Sequence, residues 1–295
     1  MDSGYGHQAP GNQGDRVGYL MTDDREGPLL VFGGPYSNLQ ATRALRRAAG
    51  EMGIAPGNCI CTGDLVAYCA DAAATVAEIR DWGCHVIAGN CEKQLAEGAA
   101  DCGCGFEAGS ACDLLSVGWY AHADRQIGAG DRAWMAALPD VLGFRHEGRQ
   151  VRVCHGGFTD VSRFLWPASP DRAFQAELEA LADDRAGPGG GRDAPAFVFS
   201  GHSGIAFERR IDGVRWVNAG AIGMPPNDGA PETRFVVLDG DRVTVHRLGY
   251  DWRGAQAAMV AAGLVQGYDA ALGSGWWPSE DVLPVEMRRA GGHAR

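Results

Sequence analysis

The sequence predicts an α/β layered fold, because short apolar runs that end in glycine alternate with segments of helical spacing. Residues 29–34 form an apolar run closed by two glycines, and residues 38–53 follow with apolar positions at helical spacing. A second strand and helix are predicted over residues 58–64 and 75–83, and residues 84–90 predict another strand. Repeated units of this size are typical of an α/β fold with functional residues at its strand ends.

The second half of the chain changes from this alternation to adjacent strands. Residues 151–157, 196–202 and 214–220 predict three more strands, each ending in a polar residue beside glycine. Residues 234–250 predict a β-hairpin that turns at Asp239-Gly240. We therefore expect the sheets to gain antiparallel strands, as in a two-sheet sandwich.

Three segments flank or interrupt the main domain, which we expect to span residues 28–250. Residues 1–27 contain few large apolar side chains, so we expect a disordered or loosely attached arm. Residues 183–195 are rich in glycine and aspartate and predict a flexible insertion. Residues 251–295 predict a C-terminal helical extension, with a helix over residues 255–266 and tryptophans that pack back on the domain.

Composition and charge argue against several classes of protein. The 295 residues are 45% hydrophobic, which is enough for one large core, and they carry a formal charge of −11. An acidic chain argues against long nucleic acid as a partner. No apolar run approaches the ~20 residues needed to cross a bilayer. We also see no hydrophobic signal region, so we expect a cytoplasmic protein whose nine cysteines are mostly reduced.

Polar groups follow five of the predicted strands. In chain order they are Asp64, Asn90 with Cys91, His155, His202 and Asn218. Because the carboxyl ends of strands converge on one crevice of an α/β sheet, groups that are distant in sequence can meet there. One Asp, one Asn and two His form an oxygen-and-nitrogen set suited to Mn²⁺, Fe²⁺ or Zn²⁺. The alternative interpretation is that these residues cap strand ends and satisfy polar groups of the core.

The order of these residues resembles the calcineurin-like metallophosphoesterase family over about residues 29–248. The family's Gly-Asp, Gly-Asn, His-Gly-Gly, Gly-His and Asn-Ala-Gly motifs match residues 63–64, 89–90, 155–157, 201–202 and 218–220. The resemblance implies a four-layer α/β sandwich, in which two mixed β-sheets face each other between outer helices. It also implies a metal-dependent phosphoesterase that acts on a small phosphorylated molecule or nucleotide.

The resemblance implies that only one of the family's two metal sites is complete. Family enzymes hold two ions that share a bridging Asp and activate a water molecule. At the ligand positions of one ion this chain has a full set: Asp64, Asn90, His155 and His202. At the remaining ligand positions of the other ion it has Gly34, Tyr36 and Gly204. We therefore expect one divalent ion, which would polarise a phosphoryl oxygen and lower the pKa of bound water.

Cys91 occupies the position of the family's histidine that assists the leaving group, within Gly-Asn-Cys-Glu rather than Gly-Asn-His-Glu. A thiol is a poor general acid, but it is a good nucleophile or soft ligand where its pKa is lowered. The resemblance thus assigns catalytic positions to Cys91, Asp64 and His155. A buried inert thiol is the alternative for Cys91, and a binding or regulatory module without hydrolysis is the alternative for the chain.

Four further residues are candidate substrate contacts: Tyr36, Asn38, Arg163 and Asn218. A guanidinium matches phosphate oxygens bidentately, so Arg163 could clamp a phosphate; a surface ion pair is the alternative. Tyr36 could contact the substrate or could fill the vacated metal site.

Three cysteines follow Cys91 in a glycine-rich loop: Cys102, Cys104 and Cys112. With Cys91 as a fourth thiolate they could bind structural zinc or an iron–sulfur cluster, which would indicate a metal–thiolate enzyme or redox sensor. A disulfide or free thiols are the competing interpretation.

Overall fold

The computed structural model describes residues 18–183 and 194–289, and the elements below lie within these ranges. The strands are β1 (Gly18–Arg25), β2 (Leu29–Phe32), β3 (Cys59–Cys61), β4 (His85–Val86), β5 (Val141–His146), β6 (Arg149–Cys154), β7 (Phe197–Ser200), β8 (Phe207–Ile211), β9 (Val214–Asn218), β10 (Thr233–Asp239) and β11 (Arg242–Leu248). The helices are α1 (Leu39–Glu51), α2 (Ala72–Trp82), α3 (Asn90–Glu97), α4 (Ala111–Gln126), α5 (Ala129–Ala136), α6 (Asp171–Asp183), α7 (Trp252–Ala261) and α8 (Tyr268–Ser274). Short 3-10 turns lie at Pro56–Asn58 and Val285–Met287.

The strands form two mixed sheets. One sheet has six strands in the order β1-β5-β6-β7-β9-β8, and the other has five in the order β11-β10-β2-β3-β4. In the first sheet β6, β7 and β9 are parallel, whereas β5 and β8 run antiparallel to their neighbours β6 and β9. In the second, β2, β3 and β4 are parallel and the β10–β11 hairpin is added antiparallel to β2.

The apolar side chains of the strands explain why the sheets are stacked. Leu29 and Val31 of β2 point into the core between the sheets, while Leu30 and Phe32 belong to the core on the opposite face. All four side chains are fully buried, because successive side chains of a strand point to opposite faces and both faces are covered. The core between the sheets is completed from the other sheet by Leu142, Phe144, Val151, Val153, Phe197, Phe199 and Val217.

Helices cover both outer faces, which gives four layers. Helices α1, α2, α4, α7 and α8 contribute to the core on the outer face of the five-stranded sheet. Helix α6 packs Phe174 and Leu181 near Trp216 and Val198 on the outer face of the six-stranded sheet. The prediction of a four-layer α/β sandwich with two mixed sheets is confirmed. Within the described residues, no helix has the length and apolar character needed to cross a membrane.

The N-terminal segment differs from the prediction. Residues 18–25 form the edge strand β1, which pairs in parallel with β5, for example Gly18 with Val141. These residues thus form regular structure in the segment where a disordered or loosely attached arm is expected from the sequence. The reason is that an edge strand depends on its partner strand, and β5 was not recognised in the sequence. Residues 1–17, and most of the predicted insertion at 184–193, lie outside the described residues.

The C-terminal residues contain two helices where the sequence predicted one. Helix α7 ends at Ala261 rather than at residue 266, because Gly263 adopts a left-handed φ of 75°, the usual way to end a helix. Helix α8 follows, and Met259, Leu264 and Leu272 join the core beneath α1. The hairpin loop also differs slightly, since Asp239 pairs with Arg242 and the turn is Gly240-Asp241.

Candidate functional site

Four strand ends bring the predicted metal ligands together. Asp64 follows β3, Asn90 begins α3 just after β4, His155 follows β6 and His202 follows β7. All four side chains are buried, although they come from both sheets. The convergence of strand ends that was expected from the sequence therefore places Asp64, Asn90, His155 and His202 in one cluster.

Two glycines allow the loops that carry Asp64 and Asn90 to touch. A Cβ atom on Gly63 would lie 2.5 Å from the backbone nitrogen of Gly89. A Cβ atom on Gly89 would lie 2.4 Å from Oδ1 of Asp64. Any other residue at either position would push the two loops apart, so these glycines are required by close backbone approach.

The ligand atoms surround one point. Nε2 of His155 lies 3.2 Å from Oδ2 of Asp64, 3.1 Å from Oδ1 of Asn90 and 3.1 Å from Nδ1 of His202. A tetrahedral ion with bonds of about 2.0–2.1 Å holds its ligand atoms about 3.3–3.4 Å apart. The three separations from Nε2 of His155 are close to these values. Among the described residues, the one group of three or more His, Cys, Asp or Glu with converging ligand atoms is Asp64, His155 and His202.

Backbone carbonyls fix the orientation of two of these ligands. Nδ1 of His155 lies 2.6 Å from the carbonyl oxygen of Thr62, which can only accept a hydrogen bond. Nδ1 therefore donates, and the Nε2 lone pair of the neutral ring faces the cluster. Similarly, Nδ2 of Asn90 donates to the carbonyl oxygen of Cys102 at 2.8 Å, which turns Oδ1 of Asn90 toward His155. Such supporting contacts are typical of metal ligands.

The backbone is strained at two of the ligands. Asp64 has a φ of 57° and His202 a φ of 54°, both in the left-handed region. This conformation costs a residue with a Cβ atom about 1–2 kcal/mol. Strain of this kind persists where the surrounding structure enforces it, and it motivates a functional hypothesis for the position.

The electrostatics of the cluster keep Asp64 ionised and His202 neutral, and they favour a protonated His155. Burial disfavours an ionised Asp64, yet the nearby His155 outweighs burial and holds the pKa of this carboxyl below its usual value. Burial likewise disfavours a charged His155, but the Asp64 carboxylate raises the pKa of its ring. Burial, and then the charge of His155, lower the pKa of His202 to about 3. An ionised Asp64 and a neutral His202 are the states in which these side chains bind metal.

Glu92 supports the site, although the sequence analysis did not single it out. Its carboxylate accepts hydrogen bonds from the backbone N–H groups of Asp64 (2.7 Å), Leu65 (2.8 Å) and Gly89 (2.9 Å). Burial, and then the charge of Asp64, raise the pKa of Glu92 to about 7. The signal was present in the sequence, because a Glu three residues after Gly89 is the spacing of a capping box at the start of α3.

An aromatic ring occupies the position of the missing ligands. The Tyr36 ring lies against Gly34, where an added Cβ atom would meet the ring at 2.4 Å. The hydroxyl of the same tyrosine points toward Gly204, 3.4 Å from where a Cβ atom would be. Tyr36 is buried and makes an edge contact with Tyr68, with ring centroids 4.8 Å apart. Of the two interpretations for Tyr36, filling the vacated site agrees with this packing, and the ring also lines the adjacent pocket.

Cys91 lies in the protein core rather than in the pocket. Its side chain is 1% exposed, and its backbone N–H lies 3.4 Å from Oδ1 of Asp64. Burial, and then the charge of Asp64, raise the pKa of the thiol well above its usual value. A protonated, buried thiol is a weak nucleophile.

The loop cysteines do not offer three free thiolates beside Cys91, although the sulfur atoms of Cys91 and Cys104 both accept from Nδ2 of Asn90, at 3.5 and 3.4 Å. Cys102 and Cys104 are joined in a disulfide, whereas Cys112 is a free thiol near the start of α4. The prediction of a four-thiolate zinc or iron–sulfur site is therefore not supported. The physical reason is that Cys102 and Cys104 face each other across one intervening residue and bond together. The disulfide is the competing interpretation that the sequence left open.

The other candidate substrate contacts have structural partners. Asn38 caps α1 by accepting from the N–H of Ala41 and donates to the carbonyl of Gly223, both at 3.0 Å. Asn218 donates to Oγ of Ser203 at 2.9 Å and accepts from the N–H of Gly220 at 2.9 Å. Neither lines the pocket beside the metal ligands.

Arg163 also has a partner outside the pocket. Nε of Arg163 lies 3.7 Å from the carboxylate of Glu177, which is almost fully buried, and the arginine itself is largely exposed. It does not line the pocket. The structure therefore places Arg163 in an ion pair, the alternative that the sequence had left open.

A pocket opens beside the ligand cluster. Both Asp64 and His202 reach its wall. Residues from the C-terminal segment, including Tyr268 and Trp277, form part of this wall. The loop after β9 ties that segment down, because Asn227 accepts from the N–H of Trp277 at 2.8 Å and donates to Glu280 at 2.6 Å. The loop at Asn227-Asp228 thus anchors the C-terminal segment.

Solved structures with a similar fold include two with high coverage. A metallophosphoesterase from Sphaerobacter thermophilus superposes with a TM-score of 0.64 at 19% identity, covering 86% of this chain and 100% of that chain. A hypothetical protein from Pyrococcus horikoshii OT3 superposes with a TM-score of 0.67 at 14% identity, covering 86% of this chain and 99% of that chain. At these identities the likeness shows the fold. No match to a curated protein was found.

A sequence profile identifies the family. The profile of the calcineurin-like phosphoesterase superfamily domain matches residues 38–242, which is more than half of the chain. The match includes Asp64, Asn90, His155 and His202 and ends before the C-terminal helices. This chain therefore belongs to the calcineurin-like phosphoesterase superfamily, as a divergent member that lacks the first Asp-x-His motif and the last His.

Proposed function

We propose that this chain is a metal-dependent phosphoesterase that uses one divalent transition-metal ion, Mn²⁺, Fe²⁺ or Zn²⁺, and acts on a small phosphorylated molecule. The ligands are Asp64, Asn90, His155 and His202. An ion in this position supplies polarisation of the phosphoryl group and activation of a water molecule.

The observation that carries the proposal is the convergence of electron-pair donors around Nε2 of His155. The carbonyl oxygens of Thr62 and Cys102 orient His155 and Asn90 so that their acceptor atoms face Asp64. Acceptor atoms 3.1–3.2 Å apart in a buried site repel one another unless a cation, either a metal ion or a proton on Nε2 of His155, lies among them. Family membership supports the same assignment, since calcineurin-like phosphoesterases use divalent metals.

The protein residues have distinct tasks in this proposal. Asp64 supplies the single carboxylate charge of the ligand set, and Glu92 holds the backbone on both sides of it. His202 and Asp64 reach the pocket wall, so a phosphoryl group in the pocket can approach the cluster. The position equivalent to the family's general acid is Cys91, whose protonated and buried thiol is not suited to move a proton to a leaving group.

Replacing Asp64 tests the proposal. The variant Asp64→Asn keeps the side chain's size but removes its charge, and we expect metal content to fall from about one ion per chain to almost none. Elemental analysis of protein purified without added metal gives the count. Asp81→Asn is the matched control, because the Asp81 carboxylate is 76% exposed and pairs only with the surface residue Arg46 in the structure. Equal metal content in wild type and Asp64→Asn would refute the site.

Hydrolysis is tested separately from metal binding. We expect metal-loaded wild type to hydrolyse p-nitrophenyl phosphate or bis(p-nitrophenyl) phosphate, and Asp64→Asn to be inactive. The packing of Tyr36 against Gly34 and the burial of Cys91 favour a second candidate, a binding or regulatory module that keeps the ion without turnover. Metal binding with no hydrolysis of either ester would favour this second function.

A further inference from the structure

The pocket beside the metal ligands is lined mainly by aromatic rings. One set of rings is centred on Tyr68. The centroid of its ring lies 4.8 Å from that of Tyr36 and 4.5 Å from that of Tyr268. A second set continues from the metal ligand His202, whose ring lies 4.3 Å from that of Phe164. Phe164 in turn stacks on Trp166 at 5.3 Å with an interplanar angle of 3°.

Several of these rings are only partly covered by protein. Tyr68, Phe106, Phe164 and Trp277 are half-buried and all line the pocket. Aromatic faces that are partly exposed inside a concave site gain most by stacking on another flat apolar group. The pocket thus offers ring faces to a ligand next to two metal ligands.

The charges of the pocket do not suit a highly anionic ligand. Among the described residues that line it, none is a lysine or arginine, and Asp64 is the only carboxylate. Arg163, the arginine that the sequence suggested as a phosphate contact, forms an ion pair with Glu177 instead. With Asp64 as its one charged ligand, an ion here keeps roughly a single positive charge. That charge offsets part of the charge of one phosphoryl group, whereas a polyphosphate would bring further charges into an apolar wall.

We propose that this pocket selects an ester of a single phosphoryl group that carries a flat aromatic group, and that Trp277 and Phe164 are specificity-determining residues. This proposal rests on the proposed phosphoesterase function for its reaction. The rings of Phe164 and Trp277 contact the aromatic group, while the phosphoryl group lies toward Asp64 and His202. Tyr268 and Trp277 follow the region that matches the family domain, whereas Phe164 lies within it, so the C-terminal segment contributes part of this selectivity.

Calorimetric binding of three probes tests the selectivity without requiring turnover. The probes are 1-naphthyl phosphate, ribose 5-phosphate and inorganic pyrophosphate, each titrated into metal-free and metal-loaded protein. We expect 1-naphthyl phosphate to bind at least about tenfold more tightly than the other two in both forms. Equal or tighter binding of ribose 5-phosphate or pyrophosphate overturns the proposal.

Two ring variants and one matched control assign the effect to the pocket. We expect Trp277→Leu and Phe164→Leu each to weaken binding of 1-naphthyl phosphate about three- to tenfold and to leave ribose 5-phosphate unchanged. Trp276→Leu is the control, because this neighbouring tryptophan is exposed and does not line the pocket. Thermal melting checks that each variant is folded, and unchanged binding in both folded ring variants overturns the proposal.

Failure of the proposed reaction has a different signature. If 1-naphthyl phosphate binds selectively but is not hydrolysed, the ligand class is supported and the phosphoesterase activity is refuted. If ribose 5-phosphate is bound and hydrolysed as well as the naphthyl ester, the activity is supported and the aromatic selectivity is refuted.

Discussion

The two metal positions of this fold differ in what surrounds them. At the retained position, four side chains converge on one point and backbone carbonyls orient His155 and Asn90. At the other position, glycine stands at residues 34 and 204, and the ring of Tyr36 lies between them. Apart from the shared Asp64, the ligand residues of one position are present together and those of the other are absent together. This difference indicates that each position behaves as a unit, because a buried site with only part of its ligands leaves polar groups without partners.

The comparison predicts different effects for substitutions at the two positions: loss of metal affinity at the first and loss of stability at the second. The largest expected effect is that of His155→Ala on metal binding. Loss of one of four ligands should weaken metal affinity about 100-fold or more. Competition with a chelator of known affinity measures the change. His246→Ala is the matched control, because the His246 ring stacks on Phe235 in the β10–β11 hairpin, away from the cluster. Unchanged affinity in His155→Ala would show that the two positions do not differ as proposed.

The next largest effect concerns stability rather than metal. Tyr36→Ala removes a ring that is 95% buried, since its exposed fraction is 5%. We expect the free energy of unfolding to fall by about 3–5 kcal/mol, as for other large aromatic truncations, with metal content unchanged. Urea unfolding measures the first quantity and elemental analysis the second. Tyr36→Phe keeps the ring and should stay within about 1 kcal/mol of wild type. Loss of bound metal in Tyr36→Phe would show that the hydroxyl is a ligand.

The smallest of these effects is expected for a substitution of Glu92, whose carboxylate holds the backbone around Asp64. Glu92→Gln keeps the side chain's shape but replaces one of its two acceptor oxygens by an amide nitrogen, so either the bond from Leu65 or the two bonds from Asp64 and Gly89 are lost. We expect the free energy of unfolding to fall by about 1–3 kcal/mol, with weaker metal binding as the loop of Asp64 loosens. Glu78→Gln is a control in a surface ion pair. Equal stability of wild type and Glu92→Gln would argue against this role.

The ligand cluster could be predicted from the sequence because its signals are local. Each ligand follows an apolar strand and stands beside glycine, so Asp64, Asn90, His155 and His202 are recognisable one by one. Their meeting point follows from the rule that strand ends converge. Glu92 carried an equally local signal, the capping-box spacing, but it acts through backbone N–H groups and so resembles an ordinary helix start.

The aromatic pocket could not be predicted because its residues have no common pattern. Tyr68, Phe106, Phe164, Tyr268 and Trp277 lie in four separate stretches of the chain, in loops and at helix ends. Neither helical nor strand periodicity links them, so only the folded chain brings their rings together. The edge strand β1 was missed for a related reason, since its pairing with β5 joins residues more than 100 positions apart. Long-range packing, rather than local preference, decides both features.

The position of Trp277 in the chain also sets an order of events during synthesis. The four metal ligands all precede residue 203, whereas the pocket wall that Tyr268 and Trp277 supply is translated later. At about 5–20 residues per second, the ribosome needs several seconds to make the intervening segment. If the cluster binds an ion as proposed, all four ligands are synthesised before this part of the pocket wall. The residues that bind metal and those that complete the pocket would then be made at separate times in every newly made molecule.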